Sequence, residues 1–414
     1  MKFSIFTLGC KTNQYESELM RESLIKEGFS EVDFKDFADI YIVNSCVVTE
    51  KAERETRKAL NEVLRKNPDA KVILTGCYVN LHNEAHIGKV YFYRGARGKI
   101  GEFIKNGEEI KGKEEERIQS FLERSRAFVK IEEGCNNFCT YCIVPFVRGH
   151  EIKSKKKELV LDEVKRLVDN GFKEIVLTGT EIGKYGEDLG ITIVDLIRDL
   201  KKVDGLKRLR ISSIHPKHVS DAFIDEFKEP YALQPHLHVS LQSGDNEILK
   251  RMNRGYTRED FLKIVMKLRN IDPDFSISTD IIVGFPFETE DAFLHSLSII
   301  REANFSKVHV FRYSKRPFTP AYYFKESVPE ITKTVRSERV REFANAIAKE
   351  FKERYIGRVV PVLVEEEING NLTGFTPHYL KVEFKGNAPI NSIAMVKVLS
   401  VSPEVMYGEL ISLA

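Results

Sequence analysis

The chain of 414 residues has no tryptophan, only six cysteines and no apolar run long enough to cross a bilayer. The last absence argues against a membrane-spanning helix. The N-terminal stretch MKFSIFTLGCKTNQ lacks both a long apolar segment and a small-residue cleavage pattern, so we expect a cytoplasmic protein. A formal net charge of +2 is too small to indicate nucleic-acid binding through overall charge, so such binding would need local patches.

The spacing of the apolar runs predicts an α/β protein in three parts. Residues 1–110 alternate short apolar runs with helical patterns, including predicted helices around Tyr15–Glu27 and from Thr49 to Lys66, which favours an open parallel α/β domain. Residues 127–350 continue this alternation with six strand-like runs and predict a partial β/α barrel. A long charged helix is predicted from about Glu330 to Tyr355, leading into the last part. Residues 351–414 contain the short strands and turns typical of a small β-barrel. Residues 111–126 are highly charged, and we expect a linker or a solvated helix there.

Three of the cysteines, Cys135, Cys139 and Cys142, lie on one short segment, GCNNFCTYC. In a cytosolic protein, thiols this close indicate a metal or cluster site rather than disulfides. A structural zinc site usually has four protein ligands, and His150 is the only histidine close by. An iron–sulfur cluster with one open iron is therefore the favoured interpretation, and zinc is the alternative.

The other three cysteines, Cys10, Cys46 and Cys77, each follow an apolar run directly, in TLGC, VNSC and LTGC. The carboxyl ends of parallel strands share one edge of a sheet, and ligands bind at that edge. We therefore expect these residues to converge on a second cluster. The alternative is that each is an ordinary small buried residue.

The C-x-x-x-C-x-x-C spacing resembles the radical S-adenosylmethionine (SAM) superfamily. The order of both cysteine sets and the final barrel resembles the methylthiotransferase family over essentially the whole chain. The stretches most similar to the branch acting on N6-threonylcarbamoyladenosine in tRNA are TLGCKTNQYES, VNSCVVTEKAERETRKAL, GCNNFCTYCIVPFVRG, HVSLQSGDNEILKRMNRGYT and YSKRPFTPA.

Two sister branches share this cysteine plan, one acting on isopentenyladenosine in tRNA and one on a ribosomal-protein aspartate. The isopentenyl branch more often has a GCQMN-like stretch where this chain has GCKTNQ. The ribosomal-protein branch usually has other residues between the first two cysteines of the triplet. The threonylcarbamoyl substrate is therefore favoured.

The resemblance implies two 4Fe-4S clusters, one on Cys135, Cys139 and Cys142 and an auxiliary one on Cys10, Cys46 and Cys77. The first would cleave SAM to a radical that removes the C2 hydrogen of adenine. The auxiliary cluster would supply sulfur, and a second SAM would supply the methyl group. The implied partners are the tRNA anticodon loop and an electron-donor protein. The final barrel is similar to the RNA-binding TRAM type, and we expect a monomer or weak dimer.

The resemblance also implies a set of SAM contacts at the strand ends and beside the cluster. Thr180 departs from the glycine often found at its position in the family. Polar residues at strand ends are often only satisfied turn groups, and an apolar residue there is equally consistent with a buried strand. The implied contacts are Tyr141, Gly179, Thr180, Glu181, Ser212, Ser213, Gln242, Arg254 and Ile282.

Features that could bind RNA all have a plain alternative. Phe375, His378 and Tyr379 could stack on unpaired bases or pack in the core. The KSKKK run at 153–157 could meet phosphates or form a solvated loop. His236 and His238 lie on one face of an alternating strand, and His215 and His218 lie near another strand end. These four histidines could line the substrate cavity or bind metal, although structural or supporting roles are favoured for them. A non-catalytic RNA-binding protein with structural zinc is the alternative to the enzyme.

Overall fold

The computed structural model describes residues 1–82, 84–110, 117–121, 125–228 and 232–414. The N-terminal part is an open, largely parallel sheet with helices on its faces. Its strands and helices, in chain order, are β1 (Lys2–Thr7), α1 (Lys11–Lys26), β2 (Ser30–Glu31), β3 (Ile40–Ser45), α2 (Glu50–Lys66), β4 (Lys71–Gly76), α3 (Cys77–Leu81), β5 (His86–Ile87), β6 (Val90–Phe92) and α4 (Ile100–Asn106).

The strand order of this sheet is β2-β1-β3-β4-β6-β5, and only β5 runs antiparallel to its neighbour. The central strand β3, IYIVNS, is buried on both faces, which explains its nearly continuous apolar sequence. Helix α1 begins at Lys11 rather than at Tyr15, where the apolar pattern places the start, so the helix follows Cys10 directly. The carboxyl ends of β1, β3 and β4 therefore lie side by side.

The central part forms a partial β/α barrel from two parallel sheets, ordered β11-β10-β7 and β12-β13-β14-β15. Strands β11 and β12 are separated only by Ser212, so they follow each other almost without interruption. The elements are β7 (Arg126–Lys130), β8 (Glu132–Glu133), α5 (Val144–Arg148), β9 (Lys153–Ser154), α6 (Lys157–Asp169), β10 (Glu174–Thr178), α7 (Ile193–Leu200), β11 (Arg208–Ile211), β12 (Ser213–Ile214), α8 (Asp221–Asp225), β13 (His236–Val239), α9 (Asn246–Arg251), α10 (Arg258–Ile271), β14 (Ser276–Val283), α11 (Glu290–Ala303), β15 (Lys307–Arg312) and α12 (Glu330–Glu353).

The C-terminal part is a closed five-stranded barrel in the order β16-β17-β18-β20-β19. Its strands are β16 (Val359–Ile368), β17 (Asn371–Phe375), β18 (Lys381–Lys385), β19 (Ile393–Val401) and β20 (Val405–Leu413). Short 3-10 helices elsewhere in the chain cover Arg97–Lys99, Ile182–Lys184, Pro216–His218 and Pro320–Tyr323. The predicted fold class, with an open α/β part, a partial β/α barrel and a small β-barrel, is confirmed.

The segment expected to be a linker or solvated helix, 111–126, is described only in part, because 111–116 and 122–124 lie outside the described residues. Residues 117–121 form no helix, and Ile118 is fully buried in the core of the central part. These five residues therefore favour the linker over the solvated helix, and the expectation for the whole segment stays a prediction. An apolar side chain spaced between charges can still enter a neighbouring core.

Candidate active site

The dispersed set, Cys10, Cys46 and Cys77, lies at one edge of the N-terminal sheet. Cys10 follows β1, Cys46 follows β3 and Cys77 follows β4, and these three strands are adjacent in the sheet. Burial raises the pKa of Cys46 to about 11, and the neighbouring Cys77 and Cys10 contribute to this rise. Gly9 has φ +96°, and a Cβ there would lie 3.0 Å from the Cβ of Cys46. The tight glycine turn therefore brings the first cysteine against the second.

An arginine of the central part, Arg148, reaches this edge of the sheet with a side chain that is only 6% exposed. Its Nε donates to the Sγ of Cys77 over 3.2 Å, and its Nη1 donates to Glu133 over 3.2 Å. The guanidinium also binds Glu16 and the Oδ1 of Asn13. Burial alone would raise the pKa of Glu16, but the cations of Arg148 and Lys130 lower it to about 2. Burial also raises the pKa of Cys77, and the charge of Arg148 opposes that rise.

The other three cysteines, Cys135, Cys139 and Cys142, form the local set and lie on the loop between β8 and α5. The backbone N–H of Cys142 donates to the carbonyl of Cys139 over 2.9 Å, and that of Cys135 donates to Gly149 over 3.0 Å. Burial raises the pKa of both Cys135 and Cys142 to about 12, and Cys139 adds to each rise. These thiols are therefore protonated at neutral pH unless a bound metal or cluster displaces their protons.

Arg254 is the cation beside this loop. Its Nη1 lies 3.1 Å from the Sγ of Cys139 and 3.4 Å from the hydroxyl of Tyr141, and its Nη2 donates to the carbonyl of Ser240 over 2.6 Å. Arg254 and Tyr141 were both expected among the SAM contacts, and the structure brings them together at the loop that carries the local set. Ile282 belongs to the same apolar cluster as Tyr141.

The expected contacts after β10 lie on the other side of the loop. Asn137, between Cys135 and Cys139, donates to the carboxylate of Glu181. The backbone N–H of Glu181 donates over 2.8 Å to Glu132, a buried acid for which the sequence suggested no role. Burial raises the pKa of Glu132 to about 8 and that of Glu181 to about 7. Gly179 is required here because a Cβ would lie 2.5 Å from the Glu132 carboxylate.

The remaining expected contacts are less directly tied to the cysteines. Thr180 is half-buried, and its backbone N–H bonds to Glu132. Ser212 is buried with its backbone N–H on the carbonyl of Leu177, whereas Ser213 is exposed. Gln242 is buried with φ +78°, and its backbone bonds to both Asp280 and Ile282 of β14. These residues stand at strand ends, but no side-chain contact joins Ser212, Ser213 or Gln242 to a cysteine.

The two cysteine sets are joined by packing. Cys77 shares a small apolar cluster with Val47, Ile143 and Val147. Ile143 follows Cys142 directly in the chain, and Val147 is four residues further on. Arg148 comes next, so one short segment leads from the local cysteine set to the dispersed one. The sequence analysis missed Arg148 and Asn13 as site residues. Both stand within the quoted stretches GCNNFCTYCIVPFVRG and TLGCKTNQYES, but spacing alone gave them no role.

Phe375, His378 and Tyr379 of the C-terminal part pack against the central part. Tyr379 stacks on Phe375 and on His236 with ring centroids 4.7 Å apart in each case. Arg126 donates to the Tyr379 hydroxyl over 2.8 Å, and His378 bonds to Asp272. The structure therefore supports the packing alternative for these aromatics. They hold the small barrel against the central part.

The lysine run at 153–157 is only partly free to meet RNA. Lys155 bonds to Glu163 over 2.7 Å and to the Tyr15 hydroxyl over 3.0 Å, and Lys157 bonds to Asp199 over 2.7 Å. Lys153 and Lys156 are exposed. Only these two lysines of the run remain as candidates for phosphate contact.

Each set offers three thiols, and no fourth ligand is seen among the described residues. This number fits a cluster in which one iron has no protein ligand. The arginine beside each set, Arg148 or Arg254, fits a bound group of net negative charge. Within the described part of the chain, no three His, Cys, Asp or Glu side chains are arranged to share a single metal ion. None of the described helices combines the length and apolar character needed to span a membrane.

Comparisons with known proteins match this architecture. The Radical SAM superfamily model matches residues 129–300, and the model of the uncharacterized protein family UPF0004 matches residues 2–91. The chain is 41% identical to the threonylcarbamoyladenosine tRNA methylthiotransferase MtaB of Thermotoga maritima, over 97% of this chain and 95% of that protein. The chain belongs to the family of radical SAM tRNA methylthiotransferases.

Other relatives of this methylthiotransferase carry a different substrate in their names. The tRNA-2-methylthio-N(6)-dimethylallyladenosine synthase of Clostridium novyi is 37% identical over 99% of this chain and 96% of that protein. Among solved structures, the radical SAM methyltransferase TsrM of Kitasatospora setae, with cobalamin and a [4Fe-4S] cluster bound, aligns with a TM-score of 0.55. It is 14% identical, over 90% of this chain and 80% of that chain, and shows the shared fold alone.

As a member of this family, the protein is a transferase that uses SAM and two 4Fe-4S clusters. The predicted enzyme class and cofactors are confirmed. The alternative of a non-catalytic zinc protein is not supported by these relatives.

Proposed function

We propose that this methylthiotransferase converts N6-threonylcarbamoyladenosine next to the tRNA anticodon to its 2-methylthio derivative. The proposal is carried by the match to relatives that are named for this substrate. Two of these relatives are 41% and 38% identical to this chain, along nearly the full length of both proteins. The anticodon-adjacent position and the substrate branch both belong to the proposal.

In this proposal Cys135, Cys139 and Cys142 hold the SAM-binding cluster, and Cys10, Cys46 and Cys77 hold the auxiliary cluster. When bound, the SAM-binding cluster would cleave SAM, and the auxiliary cluster would supply the sulfur that is inserted. The protein's contribution is to place both sets at one cleft. The short segment from Cys142 to Arg148, which packs against Cys77, supports such a common cleft.

The side chains around the local set are suited to binding a zwitterionic amino acid such as the methionine end of SAM. Glu181 offers a carboxylate to an ammonium group, and Asn137 already orients it. Arg254 offers a cation to a carboxylate while it contacts Cys139. Tyr141 and Ile282 offer an apolar surface. Gly179, Thr180, Ser212, Ser213 and Gln242 complete the proposed cofactor site through backbone or hydroxyl groups.

The domain plan and partners complete the proposal. Residues 1–110 hold the auxiliary cluster, 127–350 hold SAM, and 351–414 form the RNA-binding barrel. An electron-donor protein is required as a partner because cleaving SAM consumes an electron. We propose a cytoplasmic monomer or weak dimer, since the tRNA substrate is cytoplasmic.

Mass spectrometry of nucleosides tests the proposal. The reconstituted protein is incubated anaerobically with reductant, SAM and tRNA that carries either the threonylcarbamoyl or the dimethylallyl modification. A methylthio gain on the threonylcarbamoyl nucleoside is expected, and its loss in a Cys46→Ala variant would tie it to this enzyme. A gain confined to the dimethylallyl nucleoside would refute the threonylcarbamoyl assignment, and the 37% identity to relatives of that name makes it the second candidate.

A further inference from the structure

A segment that carries exposed aromatic rings contacts the surroundings of both cysteine sets. We call residues 312–325, which contain the stretch YSKRPFTPA, the aromatic segment. The Nη1 of Arg316 donates over 3.2 Å to the carbonyl of Val47, which follows the second cysteine of the dispersed set directly. The backbone N–H of Ala321 donates over 2.8 Å to the carbonyl of Thr140, on the loop of the local set. The aromatic segment therefore lies beside both sets.

The ring of Phe318 in this segment is exposed on a strained backbone. Phe318 has φ +68°, a conformation that a bulky residue rarely adopts, and it is 57% exposed. Its neighbours are fixed, because the buried Arg316 pairs with Glu53 over 3.0 Å and the buried Thr319 donates its hydroxyl to the Arg316 carbonyl over 2.7 Å. A strained backbone and an exposed apolar ring both cost stability, which points to a role in binding.

A second exposed ring lies next to Phe318. Phe146, on α5 between the local set and Arg148, is 46% exposed. Its ring centroid is 6.2 Å from that of Phe318, and the two ring planes are inclined by 33°. We call Phe146 and Phe318 the aromatic pair. The pair joins the aromatic segment to the chain that follows the local set, and it forms one exposed apolar patch there.

The aromatic segment is basic as well as aromatic. It contains four basic residues, five aromatic residues and no acidic residue. Lys315 is exposed, and its ammonium lies 5.3 Å from the ring centroid of Tyr322, which is also exposed. Exposed rings among cations bind single-stranded nucleic acid, because bases stack on the rings while phosphates pair with the cations. The charge and the rings together fit an unpaired stretch of RNA.

We propose that the aromatic pair stacks on an unpaired base next to the modified adenosine and so positions that adenosine for the reaction. This inference rests on the proposed function, because it takes the modified tRNA as the substrate. The target adenine must reach the cysteine sets themselves, whereas the two rings are exposed beside them. A flanking base is the part of the RNA that meets such rings. Phe146 and Phe318 are therefore positioning residues.

Four variants distinguish a stacking ring from a structural one. Phe318→Asn removes the ring and keeps a residue that tolerates the left-handed backbone, whereas Phe318→Tyr keeps the ring. Phe146→Leu removes the second ring and keeps an apolar side chain on α5. The matched control is Phe37→Asn. Phe37 is 59% exposed and stands before β3, at the opposite edge of the N-terminal sheet from the dispersed set.

Binding is measured by fluorescence anisotropy with the reconstituted full-length protein, without SAM or reductant. The first RNA is an anticodon stem-loop that carries threonylcarbamoyladenosine. Two further RNAs each lack one base, on the 5' or on the 3' side of the modified adenosine. Iron content and the thermal unfolding midpoint are recorded for every preparation, and SAM cleavage is measured separately with a chemical reductant and with a protein electron donor.

Phe318→Asn should weaken binding of the complete RNA by about 5- to 100-fold, the range for one base stacked on an aromatic ring. Its iron content and unfolding midpoint should stay unchanged. Phe318→Tyr and Phe37→Asn should bind as wild type does, and Phe146→Leu should show a smaller loss than Phe318→Asn. Removing the stacked base from the RNA should weaken binding by wild type by a similar factor, but should have little further effect on Phe318→Asn.

Two results would overturn the inference: binding of the complete RNA by Phe318→Asn equal to that by wild type, or equal sensitivity of both proteins to each missing base. Normal RNA binding by Phe318→Asn together with slower SAM cleavage with the protein donor alone would assign the aromatic pair to that donor instead. A wild-type protein that binds the RNA but forms no methylthio product would refute the proposed function, while the binding comparison would still decide this inference.

Discussion

The two cysteine sets reach similar sites by different routes. Cys135, Cys139 and Cys142 are close in sequence and need one loop to bring them together. Cys10, Cys46 and Cys77 are far apart and converge only because β1, β3 and β4 are neighbours in one parallel sheet. A short motif therefore predicts the local set, whereas the dispersed set depends on strand order.

The electrostatic surroundings of the two sets also differ. Beside the dispersed set, Glu16 is an anion, since Arg148 and Lys130 lower its pKa to about 2 despite burial. Beside the local set, burial raises the pKa of Glu132 to about 8 and that of Glu181 to about 7. The dispersed set therefore lies beside a paired ionic network, whereas the local set lies beside two buried carboxyl groups whose pKa values are raised. The sets should respond differently to mutation and to pH.

The largest effect should come from removing one cysteine of each set. Cys139→Ala should abolish both SAM cleavage and methylthio product, because it removes a proposed ligand of the SAM-binding cluster. Cys46→Ala should abolish product but retain SAM cleavage. Each variant should keep about half of the iron. Chromatography of 5'-deoxyadenosine, nucleoside mass spectrometry and iron analysis measure these outcomes. Loss of SAM cleavage in a folded Cys46→Ala protein would show that the two sets do not act separately.

Arg148→Met should damage the dispersed set selectively. It leaves Glu16 buried without its main partner and removes the donor to Cys77. Breaking a buried ion pair from one side costs about 3–5 kcal/mol. We expect a lower unfolding midpoint and iron loss confined to one cluster, with SAM cleavage retained. Arg54→Met, at an exposed position of α2, is the control. Unchanged stability and full iron content would contradict the role of Arg148.

The pH dependence of stability should have opposite signs in the two regions. The pKa of Glu132 rises from 4.5 to about 8, so its contribution is full below pH 4.5 and is lost as pH rises through 8. The pKa of Glu16 falls from 4.5 to about 2, so its contribution is present above pH 4.5 and is lost as pH falls through 2.

Thermal unfolding of two neutral variants measures this difference. Relative to wild type, Glu132→Gln should gain a few degrees between pH 5 and 8, and Glu16→Gln should be less stable at pH 7. A parallel pH response of Glu132→Gln and wild type would show that Glu132 is not held neutral by burial.

The smallest effect should come from the exposed lysines after the local set. Lys153→Ala or Lys156→Ala should weaken tRNA binding by about 2- to 5-fold and reduce its salt dependence, because each removes at most one exposed phosphate contact. Lys35→Ala, exposed in the N-terminal part, serves as the control. Filter binding at several salt concentrations gives the slopes. An equal effect of all three substitutions would mean that RNA does not approach preferentially from the side of the local set.

Elements with strong local signals agreed closely with expectation. The predicted helix at Thr49–Lys66 begins at Glu50, with Thr49 as its N-cap accepting from the backbone N–H of Ala52. The long charged helix predicted from Glu330 runs to Glu353. The start of α1 was placed four residues late, because the apolar pattern begins at Tyr15 whereas the helix begins directly after Cys10. A helix boundary set by a turn and a neighbouring strand has little periodic signal.

The sequence by itself determined the two cysteine sets, the strand rhythm and the closed barrel at the end, because these follow from short-range spacing and local propensity. Only the tertiary structure decided which charges stand beside each set. Arg148 meets Cys77 and Arg254 meets Cys139 across long separations in the chain. Such contacts depend on how strands and loops pack in three dimensions, and no local pattern in the chain records them.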